Sequence, residues 1–287
     1  MSNTIDLGVI GGTGVYQIDG ISIKDEIIID TPFGKPSSSI ILGEVAGKTI
    51  AFLARHGEGH RIPPSEINYR ANIYALKMLG IKSVIAISAC GSLREDYAPG
   101  DIVIPEQIID FTKNRVSTFF ETGLVAHIST ANPFCSHLSN LLFESVKATG
   151  ATVHQGSALI TIEGPRFSTK AESNLFRSWG MSIIGMTTSP EIFLAREAEI
   201  CYASFAHVTD YDVWHVHEES VTIEMIMKVL AKNGQLANHS ILNLIKSLEP
   251  YDCDCHHAFA GALTTSKNFM DNTQKEKLNP FIEKYIK

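Results

Sequence analysis

Strand-like and helix-like patterns alternate along nearly the whole chain, and this alternation limits the fold more than any other feature of the sequence. Short apolar runs typical of buried strands lie at 5–10, 84–88, 102–104, 158–162, 182–186 and 201–209. Amphipathic helical patterns lie at 65–79, 132–149, 169–179, 190–198 and 222–248. Because this alternation is typical of layered α/β proteins, the sequence predicts one α/β domain over 1–287, with helices on both faces of a β-sheet.

Turn and cap residues set the expected boundaries of these elements. Two alternating runs at 38–45 and 49–54, separated by three residues, predict a β-hairpin. Ser65 follows two prolines and is expected to cap the first helix. Gly234 marks a candidate break in the last helical pattern.

The composition is that of a globular protein and disfavours two classes of partner. Of the 287 residues, 44% are apolar and 19% are charged, which suits a large buried core. The net charge is −7 and no block of Lys and Arg occurs, so binding to nucleic acid or to an anionic membrane is not expected. Residues 1–6 show no signal peptide and no run long enough to span a bilayer, so a cytoplasmic protein is expected.

Five scattered cysteines do not form the disulfide framework of a small secreted domain, and structural thiols are the first interpretation. Cys253 and Cys255 form a C-x-C pair followed by His256 and His257, and an H-x-H pair lies at 215–217. Neither supplies the two separated ligand pairs that are typical of structural zinc sites. Solvated loop thiols or redox thiols are therefore favoured over a metal site.

Two glycine-rich segments are similar to nucleotide-binding loops but lack a required feature. In 12–17, Gln17 takes the place of the third glycine of the dinucleotide fingerprint. In 43–49, one residue too few separates the glycine from the lysine of a P-loop, and strand patterns flank the segment. The first is interpreted as a turn that lets a small ligand approach the backbone, and the second as a hairpin turn.

Five segments occur in an order and spacing that is specific, although each is weak alone. They read GGTG at 11–14, RHGEGH at 55–60, SACGSLRE at 88–95, EGPRFST at 163–169, and GMTTSPE at 185–191 followed by TDYD at 209–212. Together they resemble the purine nucleoside phosphorylase superfamily and, within it, the methylthioadenosine phosphorylase branch. The resemblance implies the mixed β-sheet of that fold. Residues from about 251 to 287 match the family poorly and are interpreted as a divergent C-terminal extension.

The resemblance implies a phosphate site, and the residue types agree with that chemistry. A phosphate ion is held well by a planar guanidinium that bonds two oxygens, with neutral donors for the remaining oxygens. Arg55 offers the guanidinium. Taken singly, the other candidates also suit a helix cap, a structural histidine or the end of a strand. By resemblance, these other phosphate-binding residues are Thr13, His56, Ser88, Ala89 and Thr187.

Two acidic residues follow the apolar run at 201–209, where α/β sheets place their ligand clefts. A departing purine needs a proton or a hydrogen bond near N7, and the resemblance assigns this role of general acid to Asp210. Asp212 is expected to bond the 6-amino group of adenine, and Ser168 to bond the base. Related enzymes for 6-oxopurines typically have Asn in place of Asp210, so an adenine nucleoside is predicted. An aspartate after a strand is also a common turn former.

Further residues of the nucleoside site are implied in the same way. Phe167 is expected to stack on the base and Met186 to lie under the ribose, although both also suit ordinary core packing. An apolar pocket for a 5'-methylthio group is assigned to Ile223 and Ile226, with His127 reaching in from a neighbouring subunit.

The reaction that the resemblance implies is displacement at C1' of 5'-deoxy-5'-methylthioadenosine by inorganic phosphate. Phosphate is then a co-substrate, no metal or organic cofactor is implied, and the expected assembly is a homotrimer or a dimer of trimers. Alternatives are a phosphorylase for adenosine or 6-oxopurine nucleosides, a hydrolase that uses water, and a non-catalytic nucleoside-binding protein on the same fold.

The sequence departs from the family pattern at a few positions. Gly185 stands where some members have Asn. Glu58 places an acid beside the predicted phosphate site, where it lowers the positive potential unless it points to solvent or pairs with Arg61. The disulfides implied by similarity to heat-loving relatives are Cys135–Cys201 and Cys253–Cys255.

Overall fold

The computed structural model describes residues 5–12, 20–215 and 223–286, apart from the side chains of residues 223–233. No helix in this part of the chain is long and apolar enough to cross a bilayer. The strands are β1 (Leu7–Gly11), β2 (Ser22–Ile27), β3 (Ile40–Val45), β4 (Lys48–Ala54), β5 (Ser83–Ser92), β6 (Ile102–Phe111), β7 (Val153–Ile162), β8 (Ile183–Gly185) and β9 (Cys201–Asp210). The α-helices are α1 (Tyr69–Met78), α2 (Ser136–Lys147), α3 (Lys170–Ser178), α4 (Thr188–Glu197), α5 (Ile223–Ser247), α6 (Asn272–Lys277) and α7 (Asn279–Ile282).

These strands form one mixed sheet in the order β2-β3-β4-β1-β5-β8-β7-β6-β9, which confirms the predicted sheet type. β1 pairs in parallel with β4 and β5, and β5 pairs in parallel with β9. Because β9 also pairs with β6, the strands β5, β8, β7, β6 and β9 close into a ring. Closure gives β9 a second partner at Ala206 and His207, in addition to β5 on its other side. No local sequence pattern predicts this ring.

Helices cover both faces of the sheet, as predicted. Val84 and Ala86 of β5 belong to a core that includes side chains of α1 and α4. Ile85 and Ile87 belong to a second core that includes side chains of α2 and α5. Since successive side chains of a strand point to opposite faces, one strand contributes to both cores.

The predicted hairpin is confirmed as the antiparallel pair β3 and β4. Val45 pairs with Lys48, and the two residues between them, Ala46 and Gly47, have φ angles of 52° and 76°. Positive φ at both central residues is typical of a tight two-residue hairpin turn. Gly47 and Lys48, which are similar to the end of a P-loop in the sequence, therefore belong to the hairpin turn and to the start of β4.

Other element boundaries differ from the sequence prediction for local reasons. α1 begins at Tyr69, well after Ser65, because the side chain of Asn68 accepts the Ala71 N–H at 3.1 Å and caps the helix. α5 runs unbroken through Gly234. β2 was not predicted because it is exposed along almost its whole length and contains no apolar run.

The C-terminal segment packs into both cores: apolar side chains of residues 259–286 join the core that contains α1 and α4, and Cys255 joins the core that contains α2 and α5. The rings of Phe281 and Phe119 have centroids 4.6 Å apart, and those of Phe259 and Phe120 are 5.3 Å apart. Buried aromatic side chains thus hold a segment whose composition is otherwise polar. This packing was not predicted from the sequence.

The cysteines agree with the first sequence interpretation, structural thiols, and differ from the predicted disulfides. All five are free thiols, so neither predicted disulfide is present. Cys135 and Cys201 are buried, in agreement with their first interpretation as structural thiols. Cys255 is also buried, which contradicts the interpretation of the C-x-C pair as solvated loop thiols.

Candidate active site

The carboxyl ends of β4, β1, β5 and β9 meet at one edge of the sheet. These four strands run in the same direction, with Gly11 opposite Ala54 and Ser88 opposite Ala206. β1 ends at Gly11, Arg55 follows β4 and β9 ends at Asp210, and these residues belong to the segments GGTG, RHGEGH and TDYD. Sheets of this kind bind their ligands beyond the carboxyl ends of the strands. Three motifs that are distant in sequence are therefore placed side by side.

Arg55 lies buried at this edge and is only 2% exposed. Its Nε and Nη2 donate to the two carboxylate oxygens of Glu191 at 2.7 Å each, and its Nη1 donates to the Ile87 carbonyl at 3.0 Å. The fork that was predicted to hold two phosphate oxygens therefore holds a carboxylate. Since a guanidinium has five N–H groups, two remain for another acceptor.

Glu191 joins the first turn of α4 to Arg55, and its role was missed from the sequence. It is buried and also accepts the hydroxyl of Tyr202 at 2.8 Å. Burial opposes the charge on Arg55, but the Glu191 carboxylate outweighs this effect and holds the pKa of Arg55 above its ordinary value. Glu191 is the last residue of the segment GMTTSPE, and its place in that motif is the sequence feature that could have identified it.

Thr187 lies at the N-terminus of α4 without capping it. The residue is buried, and its side chain makes no capping hydrogen bond. The regular part of α4 begins only after Ser189, which has non-helical angles (φ −96°, ψ 136°) and whose N–H donates to Thr161 Oγ1 at 3.2 Å. A hydroxyl at this position is well suited to bind a phosphate oxygen.

Ser88 and Ala89 lie half-buried in β5 beside the other candidates. Ile87, whose carbonyl accepts from Arg55, directly precedes Ser88. A Cβ on Gly185 would lie 3.8 Å from the Ala89 carbonyl oxygen, which is an ordinary contact distance. Arg55 after β4, Ser88 and Ala89 in β5, and the start of α4 thus lie close together, and a side chain at position 185 would contact the Ala89 carbonyl.

His56 differs from its prediction as a neutral donor. Its Nδ1 lies 2.8 Å from the Ile62 carbonyl, and its ring stacks on His60 with centroids 4.1 Å apart. Burial lowers the pKa of His56 to about 4, so at neutral pH its single N–H is the one that faces the Ile62 carbonyl. Nε2 is then an acceptor and suits a phosphate hydroxyl. Glu58 is exposed to solvent, as an acid beside this site must be.

Asp210 and Asp212 form a buried carboxyl pair at the end of β9. Oδ1 of Asp210 accepts the Asp212 N–H at 2.8 Å, and Oδ2 accepts the Thr209 hydroxyl at 2.7 Å. Among the described residues, no donor bonds to the buried Oδ2 of Asp212. Because a buried acceptor without a donor is unfavourable, this oxygen is suited to bind a ligand N–H.

Both carboxyl groups are harder to ionise than an exposed aspartate. Burial raises the pKa of Asp210 against the opposing effect of its two hydrogen bonds. Burial, together with the nearby charge of Asp210, raises the pKa of Asp212 to about 6. A carboxyl group with a raised pKa in a cleft is a candidate general acid.

Gly91 is a position that sequence reasoning missed. It lies opposite Asp210 in the pairing of β5 with β9, and a Cβ there would be 3.1 Å from Asp210 Oδ1 and 3.0 Å from Ile184 Cγ2. A residue without a Cβ lets the carboxylate approach the strand this closely. Gly91 lies within the strand pattern of SACGSLRE, and a glycine in such a pattern indicates that another group approaches the backbone closely.

The segment after β7 adds a groove next to Met186. Ser168, Glu163 and Gly164 line the groove, and the buried hydroxyl of Ser168 has no partner among the described residues. A Cβ on Gly164 would lie 2.7 Å from Met186 Sδ, so Met186 packs directly on this segment. Phe167 is half-buried and belongs to none of the four buried cores of the described residues.

Arg115 connects these segments and had no signal in the sequence, since an arginine after a strand is normally solvated. Its side chain is 2% exposed. It donates to the carbonyls of Met186 at 2.6 Å and Ser189 at 2.7 Å, and to the carboxylate of Glu163 at 3.1 Å. The backbone around Met186 is thereby held to the end of β7.

Four predicted residues are not placed at the site by these contacts. Thr13 lies outside the described residues, and Ile223 and Ile226 lie in the part of α5 whose side chains are not described. His127 is exposed, and its N–H donates to the Ala262 carbonyl at 2.8 Å. Its role in a neighbouring subunit stays a prediction.

Comparison with known proteins first gives the class. The family model described as the phosphorylase superfamily matches residues 6–246. The crystal structure of a methylthioadenosine phosphorylase from an antarctic soil metagenomic library has a TM-score of 0.93 and 44% sequence identity, covering 97% of this chain and 99% of that chain. The chain belongs to the phosphorylase superfamily.

Curated relatives then identify the family within this superfamily. The S-methyl-5'-thioadenosine phosphorylase of Chloroflexus aurantiacus is 50% identical over 281 residues, covering 97% of this chain and 98% of that protein. An adenosine/methylthioadenosine phosphorylase mutant from Schistosoma mansoni, solved with methylthioadenosine, has a TM-score of 0.79 and 37% identity, covering 84% of this chain and 90% of that chain. The chain belongs to the S-methyl-5'-thioadenosine phosphorylase family. The Chloroflexus alignment also extends into residues 251–287, beyond the end of the family model.

Proposed function

We propose that this protein cleaves 5'-deoxy-5'-methylthioadenosine with inorganic phosphate, in a salvage reaction that yields adenine and 5-methylthioribose 1-phosphate. The observation that carries this proposal is a buried acid pair, Asp210 and Asp212, at the sheet edge that also holds Arg55 and Thr187. The two aspartates suit the N7 and amino groups of a purine, whereas Arg55 and Thr187 suit a phosphate ion. The family to which the chain belongs supports the choice of substrate.

Phosphate is the nucleophile in this proposal. The Thr187 hydroxyl and the two remaining N–H groups of Arg55 hold its negative oxygens, and Nε2 of His56 accepts a hydrogen bond from its hydroxyl. A phosphate oxygen forms the new bond to C1' while the bond from C1' to N9 breaks. Phosphate charge stabilises the cation-like sugar between them. The complete phosphate-binding set that we propose is Thr13, Arg55, His56, Ser88, Ala89 and Thr187.

The departing purine receives the electron pair of the broken bond and becomes more basic at N7. Asp210 in its protonated form donates to N7, and its raised pKa favours the presence of that proton. The free Oδ2 of Asp212 accepts a hydrogen bond from the 6-amino group, and the free hydroxyl of Ser168 bonds the base. A 6-oxopurine presents an acceptor to Asp212 and is disfavoured.

The remaining contacts concern the sugar and the assembly. Phe167 stacks on the base, and Met186 lies under the ribose. The 5'-methylthio pocket combines Ile223 and Ile226 with the partner subunit's His127, in a homotrimer or a dimer of trimers. The enzyme works in the cytoplasm, and the chemistry uses no metal or organic cofactor.

Adenosine is a second candidate substrate. The related Schistosoma mansoni protein is an adenosine/methylthioadenosine phosphorylase. An apolar 5' pocket would leave the 5'-hydroxyl of adenosine without a partner, and burying such a hydroxyl is unfavourable. We therefore expect adenosine to be the poorer substrate.

Adenine release from methylthioadenosine, measured with and without phosphate, tests the proposal, with adenosine and inosine run in parallel. We expect release that depends on phosphate and is fastest with methylthioadenosine. Release without phosphate would identify a hydrolase instead. No release from any of the three nucleosides would contradict the enzyme assignment and favour a nucleoside-binding protein.

A further inference from the structure

Four cysteines from three separate parts of the chain meet at the amino end of β9. Cys201 is the first residue of β9, Cys135 directly precedes α2, and Cys253 and Cys255 follow α5. Their four Sγ atoms all lie within 4.8 Å of one another, and those of Cys135 and Cys253 are 3.6 Å apart. We call these four residues the cysteine cluster. The fifth cysteine, Cys90, is not part of it.

Each sulfur of the cysteine cluster has a nitrogen atom next to it. The Leu138 N–H donates to Cys135 Sγ at 3.5 Å, and the Cys255 N–H donates to Cys253 Sγ at 3.5 Å. Arg196 Nη1 donates to Cys255 Sγ at 3.0 Å, and His256 Nε2 lies 3.4 Å from Cys201 Sγ. Backbone and cationic N–H groups around sulfur stabilise the thiolate, which is the form that binds metals.

The spacing of the sulfurs agrees with tetrahedral coordination. Zn–S bonds of about 2.3 Å in a tetrahedron place the sulfur atoms about 3.8 Å apart. The cluster spans this value, with one pair at 3.6 Å and none beyond 4.8 Å. Two disulfides would use the sulfurs in pairs and would give no reason for all four to meet at one point.

We propose that Cys135, Cys201, Cys253 and Cys255 bind one Zn²⁺ ion as a closed structural site. Binding forms four Zn–S bonds and releases the four thiol protons, so no electron is gained or lost. The resulting site carries a charge of −2, which the guanidinium of Arg196 beside Cys255 partly offsets. Four protein ligands leave no position for substrate, which is typical of structural zinc.

The position of this site gives it a structural role. It joins the start of α2 and the start of β9 to the segment that follows α5. Asp210 ends the same strand that Cys201 begins, and nine residue steps of about 3.3 Å separate them by about 30 Å. The metal therefore takes no part in the chemistry at Asp210, and its presence can be tested independently of activity.

Metal analysis of the full-length protein, purified without chelator from zinc-supplemented cells, is the direct test. We expect one zinc ion per chain, which a mercurial that binds thiolates releases. Cys255→Ser should lose the zinc, whereas the matched control Cys90→Ser, at a buried cysteine outside the cluster, should keep it. Wild-type protein without zinc, or with iron in its place, would overturn the proposal even if the variants fail to fold.

Two further measurements separate zinc from oxidised thiols. Replacing zinc by Co²⁺ should give the strong visible absorption of tetrahedral cobalt bound to thiolates, and removal of the metal should lower the melting temperature by several degrees. An intact mass under non-reducing denaturing conditions that lacks two or four hydrogens would show disulfides and overturn the proposal. Asp210→Asn should keep its zinc, so a failure of the proposed enzyme function would not affect this result.

Discussion

At the residue scale, Asp210 connects the proposed chemistry with substrate preference. Asp210→Asn keeps the shape of the side chain but removes the acid and adds a donor. We expect kcat/KM for methylthioadenosine to fall about 100-fold or more, because the proton for N7 is lost. The rate with inosine relative to methylthioadenosine should rise. Steady-state kinetics with both substrates measure this, and an unchanged preference would contradict the role of Asp210. Asp30→Asn, at an exposed aspartate, is the control.

The buried charge of Asp212 should make stability depend on pH. Its pKa in the folded chain is raised from 3.8 to about 6, so the folded state binds this proton more tightly than the unfolded state does. The stabilisation is present below about pH 4 and is lost as pH rises through about 6. Asp212→Asn should therefore raise the free energy of unfolding by about 1–3 kcal/mol at about pH 7.5, and by about half as much at about pH 5.

Urea denaturation of wild type and Asp212→Asn at the two pH values checks this expectation. An equal difference at both values would show that the carboxyl group does not titrate in this range. The variant should also bind adenine more weakly. In asparagine an NH2 group takes the place of one carboxylate oxygen, so the acceptor Oδ2 that faces the 6-amino group is lost.

The sequence predicted individual candidate residues of the site, but it did not predict which residues they bond to. Arg55, Thr187 and Asp210 were found from motifs, and the structure places all three at one sheet edge. The partner of Arg55 was missed because Glu191 lies 136 residues along the chain. A buried guanidinium needs a counter-charge, but which carboxylate supplies it depends on the packing of α4.

At the element scale, two glycines have opposite roles. Gly91→Ala places a Cβ 3.0 Å from Ile184 and 3.1 Å from Asp210 Oδ1. We expect a loss of about 1–3 kcal/mol in the free energy of unfolding and a large fall in kcat/KM, because the carboxylate must move. Gly234→Ala, within α5 and with no described atom within 4 Å of the new Cβ, should raise stability by about 0.5–1 kcal/mol and leave kinetics unchanged. Thermal unfolding and kinetics of both variants test this; full activity of Gly91→Ala would contradict it.

Element type was predictable from periodicity, but element ends were not. The apolar runs at 84–88 and 102–104 predicted short strands, but β5 and β6 each have ten residues. They are longer because pairing with neighbouring strands continues past the apolar residues. α2 begins at Ser136, where Cys135 accepts the Leu138 N–H, and not at the earlier Asn132–Pro133 signal. Strand length and helix starts depend on the partner that is available in space, which a local pattern does not contain.

At the scale of the whole molecule, the C-terminal segment is predicted to be part of the cooperative core. Phe281 is 2% exposed and packs against Phe119, whereas Phe269 in the same segment is 81% exposed. Phe281→Ala should lower the free energy of unfolding by about 3–5 kcal/mol, and Phe269→Ala should change it little. Chemical denaturation compares them. Equal stability of the two variants would mean that the segment is a dispensable appendage.

The sequence by itself determined the class of fold and the family and predicted candidate residues for the site, because apolar periodicity and short motifs are local properties of the chain. Tertiary structure alone decided the closed ring of β5 to β9, the pairing of Arg55 with Glu191 and the meeting of four cysteines. Cys135 and Cys201 lie far from the C-x-C pair in sequence, so the spacing predicted no metal site. Contacts between distant residues are set by how the layers pack, and packing depends on the whole chain at once.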